Sequence, residues 1–109
     1  MKLLLIAGLV VAGCFSAVPA LAQPAKCLLV ADGKKVIDGP CDFRLDDADG
    51  SFSVSTAKVK ANVLADPGSA TGRAFYEDPT GAWVIGDVNR KGACWSNRHG
   101  KLCAWAAGR

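Results

Sequence analysis

Four cysteines, Cys27, Cys41, Cys94 and Cys103, constrain this chain more than any other feature. They follow a segment that reads as an export signal. Met1 to Ala22 holds 17 apolar side chains and one charge, Lys2. Leu3 to Phe15 is an unbroken apolar run, Pro19 breaks it, and Ala20-Leu21-Ala22 fits the small-x-small cleavage rule. The expectation is a signal peptide over 1–22, cleaved between Ala22 and Gln23, and a single small domain over 23–109. A retained transmembrane helix would need a basic flank after the apolar run, and none follows. A competing reading takes Val11-Ala12-Gly13-Cys14 as a lipobox that anchors the chain through Cys14. The sequence stays apolar for eight residues beyond Cys14, where a lipoprotein usually turns polar.

An even number of cysteines in a short exported chain implies disulfides. Zinc is the rival use. Thirteen, fifty-two and eight residues separate the four cysteines, and no C-x-x-C pair occurs. Spacing then favours one pairing. If Ser96 pairs with Lys101 across the turn Asn97-Arg98-His99-Gly100, Cys94 faces Cys103. Cys27 and Cys41 bracket a second hairpin, whose Asp32-Gly33 step is a type I′ turn signal. That register sets Cys27 opposite Asp38. A corner at Gly39-Pro40 must therefore bring Cys41 back to Cys27.

Alternation of apolar and polar residues dominates the rest. Phe52 and Val54 share one face of Ser51 to Ser55, and Ala57, Val59, Ala61 and Val63 share another. The apolar phase slips near Ser55-Thr56, so a bulge or turn is expected there. Arg73 to Tyr76 and Ala82 to Val88 read as strands around Asp78-Pro79-Thr80-Gly81. Asp66 to Gly72 reads as the longest loop. The expected fold is all-β: an antiparallel sandwich or barrel of about seven to eight strands, stapled by disulfides.

Chemistry-bearing patterns are sparse. The net charge is +3, from 13 basic and 10 acidic residues, too balanced to point to nucleic acid. Asp46-Asp47-Ala48-Asp49-Gly50 has the look of a calcium loop, but Leu45 stands at its first ligand position and Thr56 at its last. It reads better as an acidic turn, and no metal or cofactor is expected. His99, the one histidine, falls in a turn. Walker, dinucleotide-binding and H-E-x-x-H motifs are absent, and the chain is not expected to be an enzyme. Trp95 shares a predicted face with Leu102 and Ala104, whereas Trp105 shares that of Cys103. Both faces of so small a domain cannot be equally buried. One tryptophan is expected in the core and the other in a partly exposed patch suited to binding.

CLLVADGKKVIDGPCDF (27–43) and GACWSNRHGKLCAW (92–105) resemble segments of small exported alphaproteobacterial proteins of unknown function. That resemblance implies export and paired cysteines. A fainter one is to periplasmic inhibitors of c-type lysozyme, which are eight-stranded barrels with a serine-glycine pair and a following tyrosine on their inhibitory loop. Ser69-Ala70-Thr71-Gly72-Arg73 is similar, with Thr71 in the serine's place and Tyr76 one residue late, Phe75 standing at the tyrosine position. The resemblance implies that Thr71 and Tyr76 lie on a loop that enters the lysozyme cleft and blocks its catalytic carboxylates, and that replacing Arg73 or Tyr76 by alanine weakens inhibition.

The function expected is that of an exported binding protein of the bacterial envelope, periplasmic or secreted, with a protein or glycan partner. Inhibition of a host hydrolase such as lysozyme is one form of it. The alternatives are a secreted virulence factor acting on or in a host cell and a structural envelope protein. Thr71, Arg73, Tyr76, Trp95 and Trp105 are the candidate binding residues.

Overall fold

The computed structural model describes residues 22–106, in which every element is a strand. The proposed leader up to residue 21, Cys14 included, lies outside them, as does the far end of the chain. Eight strands form one closed antiparallel barrel in which each pairs with its neighbours in sequence and β8 closes on β1. They are β1 (Gln23–Ala31), β2 (Lys34–Leu45), β3 (Phe52–Ser55), β4 (Lys60–Ala65), β5 (Thr71–Asp78), β6 (Gly81–Lys91), β7 (Cys94–Asn97) and β8 (Gly100–Ala106). Closure removes the unpaired edges that an open sheet of this size would expose.

Alternation places one side of every strand inside. Ala25, Cys27 and Leu29 of β1, Ile37 and Cys41 of β2 and Phe52 and Val54 of β3 are buried. Ala61 and Val63 of β4, Ala74 of β5, Ile85 and Val88 of β6, Trp95 of β7 and Leu102 of β8 complete the interior. An eight-stranded barrel is just wide enough for side chains to fill. Here small residues face large ones. A Cβ on Gly72 would lie 2.6 Å from the Leu64 carbonyl oxygen and 3.2 Å from the Trp95 ring. The bare backbone of Gly72 is what lets β5 approach β4 and the indole fill the barrel.

Both disulfides form as expected. Ser96 pairs with Lys101, so Cys94 faces Cys103, with Cα atoms 4.0 Å apart. This bridge lies outside the core cluster, on the side of the wall away from Leu102, although Cys103 itself is buried. Cys27–Cys41 is inside, within the core cluster. Asp32 and Gly33 take positive φ angles of 51° and 80°, as a type I′ turn requires. The register beyond them departs from expectation. A bulge between Leu29 and Val30 inserts Val36, so Cys27 faces Gly39 rather than Asp38. Ala25 faces Cys41, and the bridge runs diagonally between two inward positions with Cα atoms 5.9 Å apart. No corner is needed.

The expected bulge or turn near Ser55-Thr56 is a turn, closed by the Thr56 N–H donating to the Val59 carbonyl at 2.8 Å. Two details around the loops change. Ala57 and Lys58 belong to that turn and not to a strand. The loop after β4 is Asp66 to Ala70, because Thr71 and Gly72 already pair with Asn89 and Val88.

Candidate functional site

The two ends of the barrel differ in chemistry. One, the turn end, carries the short connections Asp32-Gly33, Thr56 to Val59, Pro79-Thr80 and Arg98-His99. The other, the loop end, carries Asp46 to Ser51, Asp66 to Ala70, Gly92-Ala93 and both limits of the described chain.

The turn end is tied internally by polar groups, and beside it Trp83 (47% exposed) and Val84 (76% exposed) stand out from the start of β6. Asp32 N–H donates to the His99 carbonyl at 2.7 Å, joining two turns, and His99 Nδ1 lies 3.9 Å from Asp32 Oδ1. The Asn97 side chain organises the wall beside them. Its Nδ2 donates to the carbonyls of Ile85 and Asp87, each at 2.9 Å, and its Oδ1 accepts from His99 and Gly100 N–H. This bridging matters because β7 pairs only with Asn89 to Lys91 of β6. Thr80 donates to Asp78 Oδ1 from its hydroxyl at 2.6 Å and from its N–H at 2.8 Å. These bonds hold the Asp78 carboxyl below the usual range. Tyr76 is half-buried against the core. Its phenol is pushed above the ordinary value by desolvation first, then by the charges of Asp78 and Asp32. A broad shallow cleft of about 750 Å³ lies between the Thr56–Val59 turn and the Pro79-Thr80 hairpin. Lysines, threonines and carboxylates line it together with Ala57, Val59, Pro79 and Ala82.

The loop end combines an apolar rim with acidic loops that carry Asp46, Asp47, Asp49 and Asp66. Cys41, Phe43 and Leu45 continue the inward face of β2 past the point where the barrel is full. Phe43 is half-buried and stacks on Phe52 with ring centroids 5.2 Å apart, and Leu45 is 55% exposed. Two clefts open there, of about 190 and 180 Å³, and they share Phe43 and Ala104 as a wall. The larger also reaches Leu45, Phe52, Trp95 and Arg90. The smaller reaches Pro24 and Trp105. The Arg90 guanidinium sits over the Trp95 ring, 5.9 Å from its centre, and its Nε donates to the Gly92 carbonyl at 3.1 Å.

The loops around this rim are fastened by their own side chains. Asp47 Oδ1 accepts from the N–H groups of Asp49 and Ser51 at 2.9 and 3.1 Å. Desolvation opposes the Asp47 carboxylate, but these bonds outweigh it and hold the group below the usual range. Asp46 accepts from the Ser53 hydroxyl at 2.6 Å and from Arg44 at 3.2 Å. The acidic run is thus a self-bonded turn. Thr71 donates its hydroxyl to Asp66 at 2.8 Å and lies 2.7 Å from the Ser69 hydroxyl, and Arg90 N–H donates to the Ala70 carbonyl at 2.7 Å.

The five candidate binding residues do not converge on one surface. Trp95 (5% exposed) is core, with its upper edge lining the loop-end cleft, and Trp105 (42% exposed) stands on the same rim. Thr71 also starts from the loop end. Arg73 lies on the outer wall, 3.5 Å from Asp87, both exposed. Tyr76 is at the turn end. Thr71 and Tyr76 are strand residues of β5, not loop residues, and five steps along a strand separate them by about 17 Å. Phe43, Leu45, Arg90 and Asn97 carry more of the geometry than the sequence reading gave them. The alternation Cys41-Phe43-Leu45 was the available signal for the first two. No family model, curated protein or solved structure matches the chain.

Proposed function

We propose that the chain is an exported, non-enzymatic binding module of the bacterial envelope that takes a protein or glycan partner against the loop end of its barrel. One observation carries the reading. Leu45 and Trp105, both large, apolar and about half exposed, flank the clefts around Phe43 on a single rim, whereas Trp83 and Val84, exposed near the turn end, line neither cleft. Apolar surface gathered in one place and set beside arginine has the composition of an interface centre. The filled interior supports it from the other side, since recognition then falls to the rim and the wall. Two disulfides suit an oxidising compartment, which supports export.

Lysozyme inhibition is the narrower form of this proposal. It has the serine-threonine loop in its favour, but Thr71 and Tyr76 belong to opposite ends and one cleft cannot meet both. The test is co-sedimentation of purified protein with washed envelope material, beside a lysozyme clearing assay. Wild type is expected to sediment saturably, and the double variant Leu45→Asp, Trp105→Ser to lose at least tenfold in affinity. Equal sedimentation of the two would overturn the loop-end reading. Unimpeded clearing at excess protein would remove lysozyme as the partner.

A further inference from the structure

We infer that the edge of β6 from Gly81 to Val84 pairs with the same edge of a second copy of this chain, making a two-fold dimer through a continuous antiparallel sheet. The inference goes beyond the loop-end reading and is independent of it. Barrel closure does not cover every strand along its full length. Near the turn end, two long stretches have a strand on one side only. β2 from Lys34 to Cys41 pairs with β1 alone, because β3 meets only Asp42 to Leu45. β6 from Gly81 to Val88 pairs with β5 alone, because β7 meets only Asn89 to Lys91. The sequence treats the two edges in opposite ways. The β2 edge carries Lys34, Lys35, Asp38 and Pro40. Charges and a missing N–H are what keep a strand edge from pairing. The β6 edge opens with Gly81-Ala82-Trp83-Val84-Ile85-Gly86, which holds neither a charge nor a proline.

Asn97 covers part of this edge by donating to the Ile85 and Asp87 carbonyls. Among the described residues, no strand pairs with Gly81 to Val84 on the side away from β5. All four are exposed, Trp83 at 47% and Val84 at 76%. Unpaired N–H and C=O groups on an extended backbone are matched by another extended backbone, so strand addition is the fitting chemistry. Register selects a second copy as that strand. Facing residues of an antiparallel pair point to the same side, so a two-fold pair must centre on a residue that faces itself. Centred on Trp83, the pair sets indole beside indole, and Ala82 faces Val84 twice, small against large. Centring on Val84 would bring Trp83 onto Ile85, whose carbonyl Asn97 already holds. Centring on Ala82 would set Trp83 against Gly81, which has no side chain to pack on it. Charge does not oppose the Trp83 register. The flanking carboxylates, Asp78 and Asp87, fall opposite Val88 and Pro79 of the second copy, and Thr80 and Arg73 already engage them. So short a contact is smaller than a standard interface of about 800 Å² per partner, so the dimer depends on concentration. It leaves both loop ends free, and two of them on one dimer would bind a repetitive partner surface with avidity.

Sedimentation velocity of the purified chain, over a series from micromolar to millimolar, tests this. Wild type is expected to pass from monomer to dimer. Trp83→Lys sets two ammonium groups face to face and should weaken the dimer by about tenfold or more. Val84→Lys, at a more exposed position, should weaken it too and serves if Trp83→Lys folds poorly. Lys35→Ala, on the guarded edge, should leave it unchanged. Trp83→Cys should give a disulfide-linked dimer on mild oxidation, because facing Cβ atoms lie about 4.5–5.5 Å apart. Val84→Cys should not, since its copies are offset along the pair. A monomer throughout the series would overturn the proposal. So would a dimer that survives both lysine variants. A dimer lost in Leu45→Asp, Trp105→Ser but kept in Trp83→Lys would also overturn it, by moving self-association to the loop end. Crosslinking from Val84→Cys and not from Trp83→Cys would overturn the register and the two-fold pairing with it. Envelope binding is read separately, so failure here leaves the loop-end reading standing.

Discussion

Tyr76 is the residue whose ionisation reports most directly on the turn end. It is the only tyrosine in the chain, so its titration can be read without overlap. Desolvation and the nearby charges of Asp78 and Asp32 raise its pKa above the unfolded value of 10.0. The neutral phenol therefore contributes stability that is complete below that value and lost as pH rises through the higher folded one. Absorbance at the phenolate band should show a native midpoint above that of the unfolded chain, and Asp78→Asn should bring it down. A native midpoint at or below the unfolded one would contradict the placement of Tyr76 between those carboxylates. At this scale the sequence was uneven. Cys94 opposite Cys103 was legible, because the turn at Asn97 to Gly100 counts out the register. The role of Asn97 was not. Its amide bridges β6 and the turn only because β7 stops short, and nothing in a local stretch of residues announces that.

Among the strands, the two staples occupy different sides of the wall, and that difference has a measurable consequence. Their loops span sequence separations of 14 and 9 residues, so in the chain-entropy view they differ by only about 0.4 kcal/mol. Each should contribute about 2–3 kcal/mol by restricting the unfolded chain. Cys27–Cys41 is also part of the packed interior, where truncation leaves a void that rigid neighbours fill poorly. Replacing Cys94 and Cys103 by alanine should lower Tm by about 10–20 °C. Replacing Cys27 and Cys41 should cost at least about 1 kcal/mol more. Equal losses in calorimetry would show that packing within the core cluster adds nothing to the inner bridge beyond the burial that Cys103 already has. The inner register also marks where local reading stopped. Asp32-Gly33 identified the turn correctly, yet the bulge that inserts Val36 moves Cys27 opposite Gly39. A bulge answers to barrel curvature, a property of the closed sheet that no single hairpin contains. The turn at Thr56 to Val59, by contrast, was visible as a slip in apolar phase.

For the molecule as a whole, the all-β class and strand count followed from alternation and turn residues, while closure did not. A sandwich and a barrel make the same demand on alternation, so the sequence left both open. The candidate site depends on closure. Phe43 and Leu45 continue the inward face of β2, and they emerge as a rim only because Leu29, Leu102, Val54, Val63 and Val88 have already filled the interior below them. That also explains why Thr71, Arg73 and Tyr76, close in sequence, are spread over two ends and an outer wall. The central claim is that the loop end, and not the turn end, meets the partner. Site-specific photo-crosslinking in living cells tests it most directly, with the photoreactive residue placed at Leu45 in one variant and at Lys35, an exposed position near the turn end, in another. The account predicts a discrete adduct from Leu45 that disappears when Trp105→Ser is added, and none from Lys35. An adduct from Lys35 with none from Leu45 would contradict it.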